Sequence, residues 1–196
     1  MKLRFLVPAL VFALTTIAAH AQTVGLYLNP VVSLISNSKP DYGTFAFLGN
    51  GQTSQTFGGV DFGGYYEFEH YAKSDLSVDV RDVIQHANTS SIKSFMVGLR
   101  LAAKPMAFYH IKPYGQFSIG VGTTRSPYNG EPTNKLQYGM YGGVDKPLNK
   151  HIDWRIVEMS YGSVTTTSSA IYDSNVTPIP NATVIGFSTG FVFRFR

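Results

Sequence analysis

Apolar and polar residues alternate along most of the chain. The last segment shows this most clearly, because Ile185, Phe187, Phe191, Phe193 and Phe195 fall on one face of an extended strand. Alternation of this kind predicts a β-strand with one apolar face. Eight segments have the pattern, and they cover residues 24–35, 57–69, 75–84, 93–102, 111–122, 135–145, 152–163 and 182–196.

The composition of the two faces indicates a membrane barrel. The apolar face continues along nearly the whole of most segments, and each segment has the ~9–11 residues that a tilted transmembrane strand needs. The opposite face carries Gly, Ser, Tyr and mixed charges, which suit a tight polar interior. Backbone groups in lipid must all be paired, which forces the sheet to close. The prediction is an all-β, eight-stranded antiparallel up-and-down transmembrane β-barrel. A soluble periplasmic ligand-binding barrel is the alternative.

The seventh segment departs from strict alternation. Ile152, Trp154 and Ile156 share one face, but Glu158 then appears in the apolar phase. A β-bulge near Val157 would shift the phase and return Glu158 to the interior. The alternative is that Glu158 lies at the membrane edge.

The N-terminus has the features of an export signal. Lys2 and Arg4 precede an uncharged, mostly apolar run that ends in Ala-His-Ala at residues 19–21. This pattern predicts a cleaved signal peptide over residues 1–21 and an exported barrel domain over residues 22–196, in the outer membrane of a Gram-negative bacterium.

Composition excludes several classes of function. The chain has no Cys, which rules out disulfides, Cys-ligated metals and a Cys nucleophile. Its formal net charge of +4 falls by two once the leader is removed, and no basic cluster remains. Nucleic-acid binding therefore has no electrostatic basis.

Charged residues on the polar face predict a buried ionic network. The interior of eight strands is just wide enough for side chains to fill, and a buried unpaired charge costs several kcal/mol. Acids and bases should therefore pair. An ion path through them is the alternative. The interior set is Asp61, Glu67, Glu69, Asp75, Asp79, Arg81, Arg100, Lys112, Asp145, Arg155 and Arg194.

The sequence indicates no catalytic, cofactor or metal site. His70, His86, His110 and His151 lack metal-ligand spacing. No Gly-x-Ser-x-Gly, P-loop or Rossmann glycine pattern occurs. We expect a non-enzymatic protein without cofactors. A Ser-His-acid site assembled from distant strands stays open as an alternative.

The first long connection is unusually apolar. Residues 36–56 include Tyr42, Phe45, Phe47 and Leu48. Two interpretations fit these residues, a strand extension above the membrane or a sticky contact surface.

The chain resembles the small eight-stranded outer-membrane barrels of the OmpA/OmpX type. The residues that carry the resemblance are the leader, Lys-Pro-Tyr-Gly-Gln at 112–116, Tyr-Gly-Gly-Val-Asp at 141–145, Trp154-Arg155 with Glu158 and Tyr161, and the aromatic strand at 190–195. The resemblance implies a barrel without the periplasmic domain of some relatives.

The resemblance also implies partners. In this family the C-terminal strand is the signal read by the barrel-assembly machinery, and here it presents Phe191, Phe193 and Phe195, followed by Arg196. Outer-membrane lipid and lipopolysaccharide would surround the barrel. The function expected is structural or surface-exposed, with loops that present adhesive or envelope contacts to a partner the sequence does not identify. A narrow pore for small solutes or ions and a lipid-modifying enzyme are the alternatives.

Overall fold

The protein is a closed barrel of eight antiparallel strands. The computed structural model describes residues 23–88, 90–105, 110–127, 132–166 and 181–195. The strands are β1 (Val24–Ser36), β2 (Ser54–His70), β3 (Ser74–Ala87), β4 (Ser90–Ala103), β5 (Lys112–Arg125), β6 (Thr133–Pro147), β7 (Ile152–Val164) and β8 (Ala182–Phe195). Each strand pairs with its chain neighbours, and β1 also pairs with β8. The predicted fold is confirmed. The predicted signal peptide lies outside the described residues.

The barrel is apolar outside and polar inside. Leu28, Leu99 and Phe117 point outward and are 57%, 56% and 54% exposed. The inward neighbours Asn29 and Arg100 are buried. Exposing such a continuous apolar belt to water is unfavourable at roughly 25 cal/mol per Å², so the belt requires lipid around it. Within the described residues, no helix is long and apolar enough to cross a membrane.

The two ends of the barrel differ in their connections. The terminus end carries the start of β1, the end of β8 and the connections at 71–73, 104–111 and 148–151. The loop end carries the connections at 37–53, 88–89, 126–132 and 165–181. We call residues 37–53 loop 1.

A β-bulge in β7 places Glu158 inside the barrel. Arg155 pairs with Asp145 of β6 and Val157 pairs with Val144, so Ile156 is an extra residue. The bulge restores the inward phase, and Glu158 is only 3% exposed. Of the two interpretations of this segment, the structure has the bulge.

A second bulge, in β2, was not predicted and corrects the expected position of Glu69. Glu67 pairs with Ser77 of β3 but Glu69 pairs with Leu76, so Phe68 is an extra residue. Residues directly opposite each other in a sheet share a face. Glu69 therefore lies on the outer face with Leu76, where it is exposed, and not in the interior.

Candidate functional site

Arg81 lies at the centre of the lumen and bridges opposite walls. Its Nη1 and Nη2 donate to the two carboxylate oxygens of Glu158 at 3.0 and 3.1 Å. Nη1 also donates to Asp61 Oδ2 at 3.3 Å, and Nε donates to Asp79 Oδ1 at 3.3 Å. Two parallel N–H···O bonds are the strongest geometry for such a pair. Arg81 therefore joins β3 to β2 and to β7.

A second layer of ion pairs lies beside the first. Arg155 Nε donates to Asp145 Oδ1 at 3.1 Å and its Nη1 to Glu158 Oε2 at 3.3 Å. Arg100 Nη2 donates to Asp145 Oδ2 at 2.6 Å. The Tyr114 hydroxyl donates to Glu158 Oε2 at 2.6 Å. We call this set the ionic network, and its members are Asp61, Asp79, Arg81, Arg100, Asp145, Arg155 and Glu158.

Tyrosine rings stack on the buried arginines. The Arg100 guanidinium lies 4.2 and 4.1 Å from the ring centres of Tyr65 and Tyr114, and that of Arg81 lies 3.8 Å from Tyr141. A guanidinium held over an aromatic face gains cation–π attraction. The rings also fill the space around the network.

A third set of charges borders an open vestibule at the terminus end. Asp153 pairs with Lys112 Nζ at 3.2 Å and with Arg194 Nη2 at 2.6 Å. Both cations line a cavity of about 740 Å³, which we call the vestibule. Glu67 lines it as well, so the structure places this residue apart from the ionic network.

Loop 1 closes the opposite end with apolar side chains. Ala46, Phe47 and Leu48 are each 1% exposed, and we call them the loop 1 cap. The Phe47 ring stacks on Phe57 of β2 with 5.2 Å between ring centres. The Ser90 hydroxyl donates to the Phe47 carbonyl at 2.6 Å. The barrel wall completes this apolar cluster with Ile35, Ala87, Ile92, Val164 and Ala182.

The cap corrects the expectation for this loop. Its buried residues neither extend the strands nor form a contact surface, because they fill the mouth of the barrel. Tyr42, in contrast, lies outside the mouth and is 65% exposed.

Little space remains between the cap and the ionic network. A cavity of about 30 Å³ lies there. Gln85 donates to Ser33 at 2.8 Å and Ser94 to Gln137 at 2.7 Å along its walls. Such a volume holds about one or two water molecules. The part of the lumen between the cap and the ionic network is therefore filled with side chains.

Comparison with solved structures gives the fold a class. Neisserial surface protein A is 12% identical, with a TM-score of 0.59 over 88% of this chain and 97% of that one. Ail, the attachment invasion locus protein of Yersinia pestis, is 12% identical, with a TM-score of 0.55 over 90% of this chain and 100% of that one. The chain has the fold of a small outer-membrane β-barrel. No protein-family model and no curated protein matches the sequence.

The orientation of an outer-membrane barrel follows from its connections. In such barrels the short turns face the periplasm and the longer loops face outside. By this rule we expect the vestibule at the periplasmic end and the loop 1 cap at the outer end. The three aromatic residues of the expected assembly signal, Phe191, Phe193 and Phe195, lie on the outer face of β8 and are 45–55% exposed.

Most of the predicted interior charges lie together, and the network has one member, Glu158, that alternation alone does not reveal. Lys112 and Arg194 lie at the vestibule with Asp75. Glu158 enters the network only because of the bulge at Ile156. No signal in one sequence fixes which charge pairs with which across the lumen.

Proposed function

We propose that the protein is a non-enzymatic outer-membrane anchor that holds its loop end at the cell surface. The observation that carries this proposal is the closure of the lumen at two levels, by the loop 1 cap and by the ionic network. A pore or a catalytic lumen needs room for a solute. The small cavity between the two levels, about 30 Å³, gives none.

The ionic network suits a rigid support. Its charges come from β2, β3, β4, β6 and β7, and the Tyr114 hydroxyl adds β5. Arg81 with Glu158 and Arg100 with Asp145 join strands that are not neighbours, so a relative shift of these strands would leave buried charges unpaired. Loops on such a support keep a fixed position above the membrane.

The expected contacts are of two kinds. Lipid and lipopolysaccharide surround the apolar belt, and the outer aromatic residues of β8 serve the assembly machinery during biogenesis. The loops contact a partner outside the cell. Ail is named an attachment protein, which makes attachment of intact cells to a surface the first loop activity to assay.

The presentation of loop 1 is tested by labelling a single introduced cysteine. The chain has no Cys, so a membrane-impermeant maleimide reacts only at the new residue. Tyr42→Cys and Tyr71→Cys form a matched pair, since Tyr42 and Tyr71 are 65% and 50% exposed at opposite ends. We expect intact cells to label Tyr42→Cys only, and permeabilised cells to label both. Labelling of Tyr71→Cys on intact cells would contradict the proposed orientation.

The proposal that the protein is not an enzyme has a separate test. Lipopolysaccharide from cells with and without the protein is compared by mass spectrometry. We expect identical acyl chains. Loss or gain of an acyl chain that depends on the protein would establish the lipid-modifying alternative.

A further inference from the structure

Three side chains with metal-ligating atoms meet at the terminus end of the β2–β3 hairpin. They are Glu67, His70 and Asp75, and one ligand atom from each lies within 4.8 Å of the others. His70 Nδ1 lies 2.8 Å from Asp75 Oδ1. The set combines one imidazole with two carboxylates, which is a donor set that transition-metal ions accept.

The bulge in β2 is what brings these residues to one face. Side chains of a regular strand alternate, so Glu67 and His70, three residues apart, would point to opposite faces. The extra residue Phe68 shifts the phase, and His70 then pairs with Asp75. Bulges next to functional sites often re-aim a side chain in this way. The shift also explains why sequence spacing indicated no metal site.

The cluster is accessible and its carboxylates are available. Glu67, His70 and Asp75 all line the vestibule, which has room for water ligands. Lys112 and Arg194 are already paired with Asp153. Among the described residues, the Glu67 carboxylate has no ion pair or hydrogen bond, and the Asp75 carboxylate pairs with His70.

We propose that Glu67, His70 and Asp75 bind a divalent transition-metal ion of the zinc type. Zn²⁺ holds imidazole and carboxylate ligands at about 2.0–2.2 Å, so the three side chains close around it by rotation. His70 and Asp75 have side chains 40% and 20% exposed, which leaves them free to rotate. Three protein ligands leave the remaining coordination positions to water from the vestibule.

The ligand set also limits which metal ion the site binds. Lys104 and Lys150 line the vestibule, and these mobile ammonium groups can turn toward water, where salt screens them. Mg²⁺ and Ca²⁺ prefer sets made only of oxygen ligands. We therefore expect Zn²⁺ to bind in the presence of excess Mg²⁺.

The test is calorimetric titration of Zn²⁺ into the folded, chelator-stripped barrel, purified without a histidine tag. We expect one ion per chain in the wild type. Changes around a metal site usually weaken affinity about 10–100-fold, so H70Q and E67Q should each bind Zn²⁺ at least about tenfold more weakly. H151Q is the control, because His151 lies at the same end outside the cluster and contacts the Arg194 carbonyl.

Folding of every variant is checked by the heat-dependent shift of the barrel on a gel. His70 is exposed and the substitution is small, so we expect the shift to be retained. The proposal is overturned if the wild type binds no Zn²⁺, if H70Q and E67Q bind it as tightly as the wild type, or if H151Q loses it. Surface labelling at Tyr42 is independent of this result.

Discussion

The two ends of the lumen differ in their contact with water. At the loop end the loop 1 cap inserts Phe47 and Leu48 into an apolar cluster, and both are only 1% exposed. At the terminus end the lumen widens into a vestibule of about 740 Å³ bordered by charged side chains. One end excludes water and the other admits it.

Because of this difference, the same kind of ion pair contributes differently to the free energy of unfolding at the two ends. The attraction between two charges is several times stronger in a low-dielectric interior than near water, and the penalty for an unpaired charge rises with it. Arg81, with its side chain 1% exposed below the cap, is in the first environment. The pair of Lys112 with Asp153 borders the vestibule, with the lysine side chain 16% exposed, and is in the second.

The largest effect is expected at the central arginine. Arg81→Ala leaves Asp61, Asp79 and Glu158 without their shared counter-ion, so we expect the free energy of unfolding to fall by about 3–5 kcal/mol. Urea unfolding of the barrel in lipid vesicles measures the change. Arg125→Ala, at an exposed position, is the control. A loss below about 1 kcal/mol, as for surface pairs, would mean that water reaches the centre.

The second largest effect is expected at the loop 1 cap. Phe47→Ala removes the ring stacked on Phe57, and we expect a loss of about 3 kcal/mol, the low end for a buried Phe, because loop 1 can partly relax. Tyr42→Ala in the same loop should stay within about 0.5 kcal/mol. Equal losses for the two variants in the same urea assay would refute the description of the cap.

A smaller effect is expected at the vestibule. Asp153→Asn weakens the pairs with Lys112 and Arg194. Lys112 is in contact with the water of the vestibule and Arg194 keeps the Asn149 carbonyl at 3.0 Å, so we expect a loss of about 1–2 kcal/mol. High salt should shrink this loss and leave the Arg81→Ala loss unchanged. If Asp153→Asn costs as much as Arg81→Ala and is insensitive to salt, the two ends do not differ in solvation.

The smallest effect is expected at the polar contact of the cap. Ser90→Ala removes the hydroxyl that donates to the Phe47 carbonyl, which should cost about 1 kcal/mol. Ser91→Ala is the neighbouring control, since Ser91 lies on the opposite face of β4. If the two variants unfold at the same urea concentration, Ser90 does not hold the cap.

The fold was predictable because each strand shows its lipid-facing side in its own alternation of apolar and polar residues. When the opposite face of a strand is polar, an apolar face such as that of Phe191, Phe193 and Phe195 contacts lipid. Closure of the sheet then follows because every backbone group in lipid must be paired. The interior charges followed from the same phase. Where the phase breaks, as at Ile156 and Phe68, the sequence alone locates a bulge only if a charge falls in the apolar phase.

Glu158 gave that signal and Glu69 did not. Glu69 fits the regular alternation as an inward residue, so the sequence gives no sign that it points outward. The inward packing of the loop 1 cap could not be predicted either, because an apolar loop has the same composition whether it packs inward or projects outward. Partners across the lumen depend on the register of all eight strands at once, which no local pattern fixes.

The most direct test of a closed anchor is the electrical conductance of the reconstituted barrel in a planar lipid bilayer. A wide porin in the same bilayer confirms the sensitivity of the recording, and the heat-dependent gel shift confirms that the protein is folded. We predict no discrete conductance steps for the wild type, since the loop 1 cap and the ionic network both block the lumen. Reproducible single-channel steps from the folded wild-type barrel would contradict the account and establish a pore.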